Sequence, residues 1–265
     1  MGEVEPYYGV KPEQVYLRRN LDEKARAEFF RTGEHQVEEM LQIIREHFDP
    51  NFSPTRALDY GCGVGRMLVP LARRVKQVVG CDVSPPMLKE SKANCDLYGL
   101  TNVSYVAADD RLSAVQGTYE FIYSDAVFQH INPDRVDVIV KSLLDRLDDG
   151  GICALGFVID TPFLRRIARW TKRSVPLIDR LVTRVRDRVG GLEALESHVY
   201  PLERLIDRLM ETGYTQMHVQ FFKGPNVTRA RAYIQRGTST SAATFDDQAL
   251  EVDNKTCRAP CSTEP

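Results

Sequence analysis

The chain has 265 residues, of which 43% are hydrophobic and 27% charged, a balance typical of one large globular domain with additions. Its formal net charge of −2 gives no reason to expect binding to nucleic acid or to an anionic membrane through overall charge. The acidic amino terminus lacks the apolar segment of a signal peptide, and no apolar run approaches the ~20 residues of a membrane-spanning helix, so we expect a cytoplasmic protein.

The first 50 residues predict helices. A convincing amphipathic helix is indicated by apolar residues at 3.6-residue spacing that stop before Pro50, namely Val37, Met40, Leu41, Ile44 and Phe48. An earlier, more polar helix is predicted from about Pro12 to Phe30. We interpret residues 1–50 as a helical N-terminal extension that acts as a lid over the next domain.

Residues 51–237 predict one α/β domain. Short apolar runs alternate with helical patterns, and the runs lie at 57–60, 77–82, 103–108, 121–124 and 151–158. This alternation predicts a parallel sheet with helices on both faces, and two further runs at 217–222 and 229–235 predict a closing hairpin. The expected fold is therefore a seven-stranded, mostly parallel, doubly wound sheet closed by an antiparallel hairpin. Residues 238–265 are polar and are predicted to form a disordered tail.

A helical insertion is predicted at 161–198, after the fifth strand. Its first half contains Trp170, and between 163 and 190 only Asp179 and Asp187 oppose nine basic residues: Arg165, Arg166, Arg169, Lys172, Arg173, Arg180, Arg184, Arg186 and Arg188. One interpretation is a basic amphipathic helix that contacts an anionic partner or a membrane surface. The other is an ordinary lid helix with a solvated basic face.

A glycine-rich turn follows the first strand, with the spacing Gly61-x-Gly63-x-Gly65. Such a turn lets the backbone approach a ligand, but by itself it serves many nucleotide-like ligands. Arg66 stands where a dinucleotide fingerprint needs its last glycine, which disfavours an NAD-dependent oxidoreductase. Asp59 precedes the turn and suits a cationic ligand group, and Asp82 ends the second strand 23 residues later, where an acid can accept both hydroxyls of a ribose.

The stretch 57–157 resembles the core of the class I S-adenosylmethionine-dependent methyltransferases. The segments that carry the resemblance are ALDYGCGVGR at 57–66, VGCDVSPPML at 79–88, VSYVAAD at 103–109, YEFIYS at 119–124 and LDDGG at 147–151. The resemblance implies S-adenosylmethionine as the cofactor and in-line methyl transfer to a small-molecule or lipophilic acceptor. An RNA or protein acceptor, or a non-catalytic module that only binds a partner, remains an alternative. DNA is not expected, because residues 124–127 lack the motif of amino-methylating DNA enzymes.

The resemblance also assigns roles to residues. Asp59 would bind the methionine moiety and Asp82 the ribose, Asp109 would lie near the adenine, and Tyr60 either stacks near the sulfonium or packs in the core. The full predicted cofactor-binding set is Asp59, Tyr60, Gly61, Cys62, Gly63, Gly65, Asp82, Val83, Met87, Asp109, Asp110 and Ser124. Ser124 would contribute its backbone, and Asp110 either contacts the adenine or faces solvent. Phe30 and Gly33 either close over the cofactor or simply start a helix.

Candidate bases and metal ligands are few. His130 and Asp125 follow the fourth strand and are the first candidates for a general base, with His198 and His35 behind them, although a structural role for His130 is favoured over catalysis. The six cysteines show no zinc-ligand spacing, so no metal site is predicted. The sequence does not indicate an oligomeric state.

Overall fold

The computed structural model describes residues 5–11, 13–160, 198–212, 214–224, 227–237 and 250–253. Residues 161–197 lie outside this part of the chain, and with them the predicted basic helix and Trp170. The same holds for Cys257 and Cys261 of the tail.

The described chain forms one mixed sheet. Its strands are β1 Arg56–Tyr60, β2 Gln77–Asp82, β3 Val103–Ala107, β4 Tyr119–Ser124, β5 Leu147–Asp160, β6 Tyr214–Lys223, β7 Thr228–Arg236 and β8 Leu250–Asp253. The strand order is β3-β2-β1-β4-β5-β7-β6-β8, and only β7 runs antiparallel to its neighbours. The predicted seven-stranded, mostly parallel sheet closed by a hairpin is therefore confirmed.

An eighth strand lies in the region predicted to be a disordered tail. Leu250–Asp253 pairs in parallel with β6, in the register Met217 with Leu250. The segment Leu-Glu-Val-Asp alternates apolar and acidic residues, which is the period of a strand, and β6 would otherwise leave its outer backbone groups unpaired. The prediction of disorder overlooked this short alternation.

Six helices and three single 3₁₀ turns complete the described structure. The helices are α1 Pro6–Val10, α2 Glu23–His47, α3 Leu68–Ala72, α4 Pro85–Leu97, α5 Pro133–Leu144 and α6 Leu202–Thr212, and the turns are Gln14–Tyr16, Arg18–Asn20 and Phe128–His130. None of the described helices is long and apolar enough to span a bilayer.

The N-terminal helices differ from the prediction. Two 3₁₀ turns occupy most of the segment before residue 23, so the helix predicted from Pro12 to Phe30 is wrong in its first half. A single 25-residue helix, α2, then joins the second half to the predicted amphipathic helix. Asp22 fixes the start, because its carboxylate accepts a hydrogen bond from the Ala25 amide at 2.7 Å.

Two apolar layers hold the helices against the sheet. On one face, α2 contributes Phe29, Val37, Met40 and Ile44 to a core that includes Phe121 of β4. On the other face, α5 and α6 pack against the alternate strand residues, which include Leu58, Ile122 and Leu155. Tyr200 lies just after the insertion, and its amide donates a hydrogen bond to the Val158 carbonyl of β5 at 2.8 Å. The insertion therefore leaves and rejoins the core at the same place.

Gly33 lets α2 lie directly against the glycine-rich turn. A Cβ at this position would overlap the backbone carbonyl oxygen of Arg66, and a backbone atom cannot move aside as a flexible side chain can. Gly33 therefore explains how the N-terminal helix approaches the loop so closely. This close approach is a packing role in the middle of α2, not a helix start.

Replacing Gly33 with alanine is expected to destabilise the protein by about 1–3 kcal/mol, the usual cost of overpacking. In an ordinary helix interior the same change would stabilise by about 0.5–1 kcal/mol. Urea unfolding followed by circular dichroism measures the difference, with Thr32→Ala on the neighbouring, half-buried position as the control. An increase in stability for Gly33→Ala would show that α2 and the loop are not in contact.

Candidate ligand site at the carboxyl edge of the sheet

The carboxyl ends of β1, β2 and β4 meet at one edge, where the turn after β1 crosses the sheet. Gly61 and Gly63 have φ angles of 76° and 53°, which favour glycine. A Cβ on Gly61 would also collide with the Val127 side chain, and one on Gly63 would lie 2.8 Å from Cγ2 of Val10 in α1. The amide of Gly61 donates to the Cys81 carbonyl at 2.7 Å, which fixes the turn to β2.

Asp82 is bound to the turn through its carboxylate. Oδ2 accepts a hydrogen bond from the Gly63 amide at 2.9 Å, and Oδ1 accepts one from the Ser84 amide at 2.8 Å. Burial raises the pKa of Asp82, while these backbone bonds act in the opposite direction. Each oxygen keeps a further lone pair, so the carboxylate can accept two more hydrogen bonds. Exposed Val83 and half-buried Met87 provide apolar surface beside it.

Asp59, the penultimate residue of β1, is a buried acid, and one of its oxygens has no partner among the described residues. It is 2% exposed, and Oδ2 has no hydrogen-bond partner among the described residues. Burial raises the pKa of Asp59 to about 7; the Arg66 charge lowers it and the Asp82 charge raises it. The Oγ atom of Ser124, at the end of β4, is likewise buried without a partner in the described chain. Because buried polar atoms are normally hydrogen-bonded, a ligand that donates a hydrogen bond to Oδ2 of Asp59 would satisfy this atom.

A cluster of polar side chains lies beside Asp59, and we call it the Gln36 cluster; it comprises Gln36, Arg66, Tyr123, Asp125 and Arg231. The Gln36 amide nitrogen donates to the Tyr123 hydroxyl at 2.9 Å and to Asp125 Oδ2 at 3.0 Å. The Gln36 amide oxygen accepts from Arg66 at 2.7 Å. Helix α2 therefore bonds to the glycine-rich turn and to β4 through one side chain.

Asp125 is bound too tightly to act easily as a base. Arg231 donates to its Oδ2 at 2.7 Å, and the Ala126 amide donates to its Oδ1 at 2.8 Å. Burial acts to raise the pKa of Asp125, but the charge and hydrogen bond of Arg231, together with the charges of Arg229 and Arg66, outweigh burial and lower it. A carboxylate of low pKa accepts protons poorly, so the geometry favours a positioning role for the predicted base.

His130 lies at the mouth of the same edge. It is exposed at the end of a 3₁₀ turn, and its Nε2 lies 3.2 Å from the amide nitrogen of Gln129. Burial of part of the ring, followed by His198 and Arg229, lowers the pKa of His130, which favours a neutral imidazole. The His198 amide donates to the Gln129 carbonyl at 2.7 Å, so His198, a further candidate base, also lies at this edge.

Other predicted residues have structural partners. Asp109 accepts hydrogen bonds from the Arg111 and Ser113 amides at 3.0 and 2.9 Å, and Asp110 forms two 2.8 Å bonds with Arg135. Tyr60 is 2% exposed and belongs to a stack of four rings: Tyr60, Phe128, Phe157 and Tyr200. The stack favours the packing alternative for Tyr60.

Neither His35 nor the thiol of Cys62 is placed to act as a reactive group at this edge. His35 is exposed on α2, where its Nε2 lies 3.0 Å from Arg31. Burial raises the pKa of the Cys62 thiol, so this cysteine contributes its backbone to the turn and not a reactive sulfur. Among the described residues no group of His, Cys, Asp and Glu could hold a metal ion.

Three residues of the Gln36 cluster were not predicted as site residues from the sequence: Gln36, Arg66 and Arg231. Gln36 lies three residues after Gly33 and four before Met40, so a polar residue on the buried stripe of α2 was a usable signal. Arg231 lies in β7 among the buried residues Ala230 and Ala232. A charge in a buried strand indicates a partner, but the pattern does not say which one.

Comparison with known proteins gives one family for the central segment. Residues 57–151 match a family described as a methyltransferase domain. An uncharacterized RNA methyltransferase of Listeria monocytogenes is 30% identical over 136 residues, which is 50% of this chain and 29% of that protein. The probable S-adenosyl-L-methionine-dependent methyltransferase TehB of Haemophilus influenzae is 33% identical over 102 residues, 37% of this chain and 34% of TehB. The chain spans about a third of the length of these relatives.

Solved structures share the fold over more of the chain. The magnesium protoporphyrin IX methyltransferase of Synechocystis PCC 6803, with bound S-adenosylhomocysteine, aligns with a TM-score of 0.57 at 17% identity and covers 88% of this chain and 98% of that one. A S-adenosylmethionine-dependent methyltransferase of Methanosarcina mazei aligns with a TM-score of 0.56 at 17% identity, over 74% and 98% of the two chains. At these identities the similarity establishes the fold.

Proposed function

We propose that this chain, which carries a class I S-adenosylmethionine-dependent methyltransferase domain with a Rossmann-like fold, transfers the methyl group of S-adenosylmethionine to a small-molecule or lipophilic acceptor. The observation that carries the proposal is the pair of acids on adjacent strand ends. Asp59 has an open buried oxygen, and Asp82 keeps two acceptor positions beside a turn whose glycines leave the backbone accessible.

The residues fit the parts of the cofactor. Asp82 would accept the ribose hydroxyls, Asp59 would bind the ammonium group, and the turn at 61–65 would contact the ligand with backbone atoms. Bound S-adenosylmethionine supplies a methyl group that its positive sulfur already activates. The protein therefore mainly has to align donor and acceptor, and such alignment can lower a barrier by about 7–11 kcal/mol.

His130 is the proposed base where the acceptor must lose a proton. Its lowered pKa keeps the imidazole neutral, and a neutral imidazole can accept a proton. A positioned base of this kind contributes roughly 10²–10⁴-fold to the rate. Asp125, held by Arg231, would instead shape the edge at which the acceptor enters.

The affinity for S-adenosylhomocysteine is expected to fall as the pH drops below 7. Because the pKa of Asp59 is raised to about 7, the free protein holds a proton there at lower pH, and binding of the ammonium group must release it. Affinity should then fall by up to about tenfold per pH unit between pH 7 and 5. Calorimetry in two buffers of different ionisation enthalpy measures both the affinity and the released proton.

The control for this pH dependence is Asp59→Asn, which should bind weakly and with little dependence on pH. In the unliganded protein, the contribution of Asp59 to stability should show the opposite trend. Since its folded-state pKa lies above the ordinary value of 3.8, this contribution is present below pH 3.8 and is lost as the pH rises to about 7. A wild-type affinity that is constant from pH 5 to 8 would remove Asp59 from the ammonium site.

The proposed function is tested by calorimetry with S-adenosylmethionine and S-adenosylhomocysteine. No binding of either at millimolar concentration to folded protein would refute it. Incubation of the protein and radiolabelled cofactor with small-molecule extracts, lipids, total RNA and protein fractions then locates the label. Label in RNA would favour the class named in the Listeria relative, and binding without any turnover would favour a non-catalytic module.

A further inference from the structure

Arg66 carries a half-buried charge that no acid in the described part of the chain pairs with directly. Its guanidinium forms a 2.7 Å hydrogen bond with the neutral amide oxygen of Gln36. No carboxylate of the described residues lies within ion-pair distance of it, although Arg66 is near enough to Asp59 and Asp125 to lower the pKa of each. An arginine has five N–H donors, so most of its hydrogen-bonding capacity remains unused.

The surroundings hold Arg66 in this state. Its backbone carbonyl lies against Gly33 of α2, and its side chain is fixed by Gln36. Asp125, the acid that could neutralise it, is instead bound to Arg231 at 2.7 Å and to the Gln36 amide nitrogen. The cluster therefore keeps one guanidinium in excess next to the open oxygen of Asp59.

Asp59 can accept a hydrogen bond from a cationic group, and Arg66 beside it can donate to an anionic one. Together they match a zwitterion, which carries both charges. We propose that Arg66 binds the α-carboxylate of the cofactor's amino-acid part while Asp59 binds its ammonium group, and that Gln36 positions Arg66 for this contact. This inference rests on the proposed function, since it concerns the same ligand. Arginine suits the task because its planar fork binds both oxygens of a carboxylate at once.

The competing explanation is that Arg66 only joins α2 to the glycine-rich turn. Loss of a purely structural contact between α2 and the turn would weaken the binding of every ligand of the turn to the same extent. Loss of a carboxylate partner would weaken only ligands that possess the carboxylate. A pair of ligands that differ in this group alone separates the two explanations.

The experiment compares S-adenosylhomocysteine with its decarboxylated form, S-adenosyl-3-thiopropylamine, by calorimetry. Wild-type protein should bind the carboxylated ligand at least tenfold more tightly. Arg66→Met, which keeps an apolar stem against α2, should lose tenfold to a hundredfold affinity for S-adenosylhomocysteine and less than threefold for the decarboxylated ligand. Arg73→Met, an arginine on the nearby C-cap of α3, should change neither affinity and serves as the control.

Equal losses for both ligands, or no loss for either, would overturn the proposal. Arg66→Lys keeps the charge and should retain part of the preference for the carboxylated ligand, which provides a second readout if Arg66→Met does not fold. Thermal unfolding by circular dichroism establishes folding for each variant. If the wild-type protein binds neither ligand, the result would instead contradict the proposed function itself.

Discussion

Asp82→Ala is expected to weaken the binding of S-adenosylhomocysteine by about 100-fold or more. Hydrogen bonds to a charged group contribute about 1.5–3 kcal/mol each, and the variant would lose the two proposed bonds to the ribose. It also removes the acceptor of the Gly63 and Ser84 amides, so the turn itself becomes less ordered. Both losses act on the same ligand, which makes this the largest expected effect on binding.

Calorimetry measures the affinity of the Asp82 variant, and its unfolding curve shows that the sheet is intact. Asp96→Ala is the matched control, since Asp96 is an exposed acid paired with Lys92 on α4. Asp82→Asn should fall between wild type and Asp82→Ala, because an amide oxygen can still accept a hydrogen bond. Unchanged affinity in Asp82→Ala would exclude this acid from the ribose site.

Arg231→Met is expected to cost about 3–5 kcal/mol of stability at neutral pH, the usual cost of breaking one side of a buried ion pair. The Asp125 and Arg231 side chains are 17% and 10% exposed, and they are joined at 2.7 Å. Methionine fills a similar volume, so the penalty comes mainly from the carboxylate that is left buried without its cation. Urea unfolding at pH 7 gives the value.

The pH dependence of that penalty tests its cause. In the wild type, the lowered pKa of Asp125 stabilises the fold above the ordinary pKa of 3.8, and this contribution is lost as the pH falls through the lowered value. In the variant, burial without Arg231 raises the same pKa, so protonation at mildly acidic pH relieves the strain. The difference between the two proteins should therefore shrink between pH 7 and 5.

Two further variants serve as controls for the stability loss in Arg231→Met. Arg204→Met removes exposed ion pairs with Asp134 and Asp137, and it should cost less than about 1 kcal/mol. The double variant Asp125→Asn with Arg231→Met should recover part of the stability lost in Arg231→Met alone. A penalty that is the same at both pH values and is not recovered would assign the loss to packing.

The sheet, and the positions of Asp59 and Asp82 at one edge of it, could be predicted because their signals are local. Strand periodicity, the three glycines, and acids at the ends of β1 and β2 all lie within short segments of sequence. The short helices and 3₁₀ turns before α2 were harder, because a polar segment carries no clear period. The Asp22 cap that begins α2 is a single residue with many other possible uses.

The Gln36 cluster could not be predicted, because it is made by distant parts of the chain. Gln36 and Asp125 are 89 residues apart, and Asp125 and Arg231 are 106 apart. Only the fold brings helix α2, the end of β4 and the middle of β7 together. The role of Asp125 depends on these contacts: its position suggested a base, but the buried Arg231 next to it lowers its basicity.

The chain leaves the sheet after Asp160, and from His198 on it lies against the core again, where the Tyr200 amide bonds to the Val158 carbonyl of β5. Since both ends of this excursion are fixed at one point of the core, its length and content can change without disturbing the strands on either side. We therefore expect that this segment can be replaced by a short turn or by a segment from another protein. Asp59 and Asp82 lie on β1 and β2, away from this segment, so we expect its replacement to leave the proposed cofactor site unchanged.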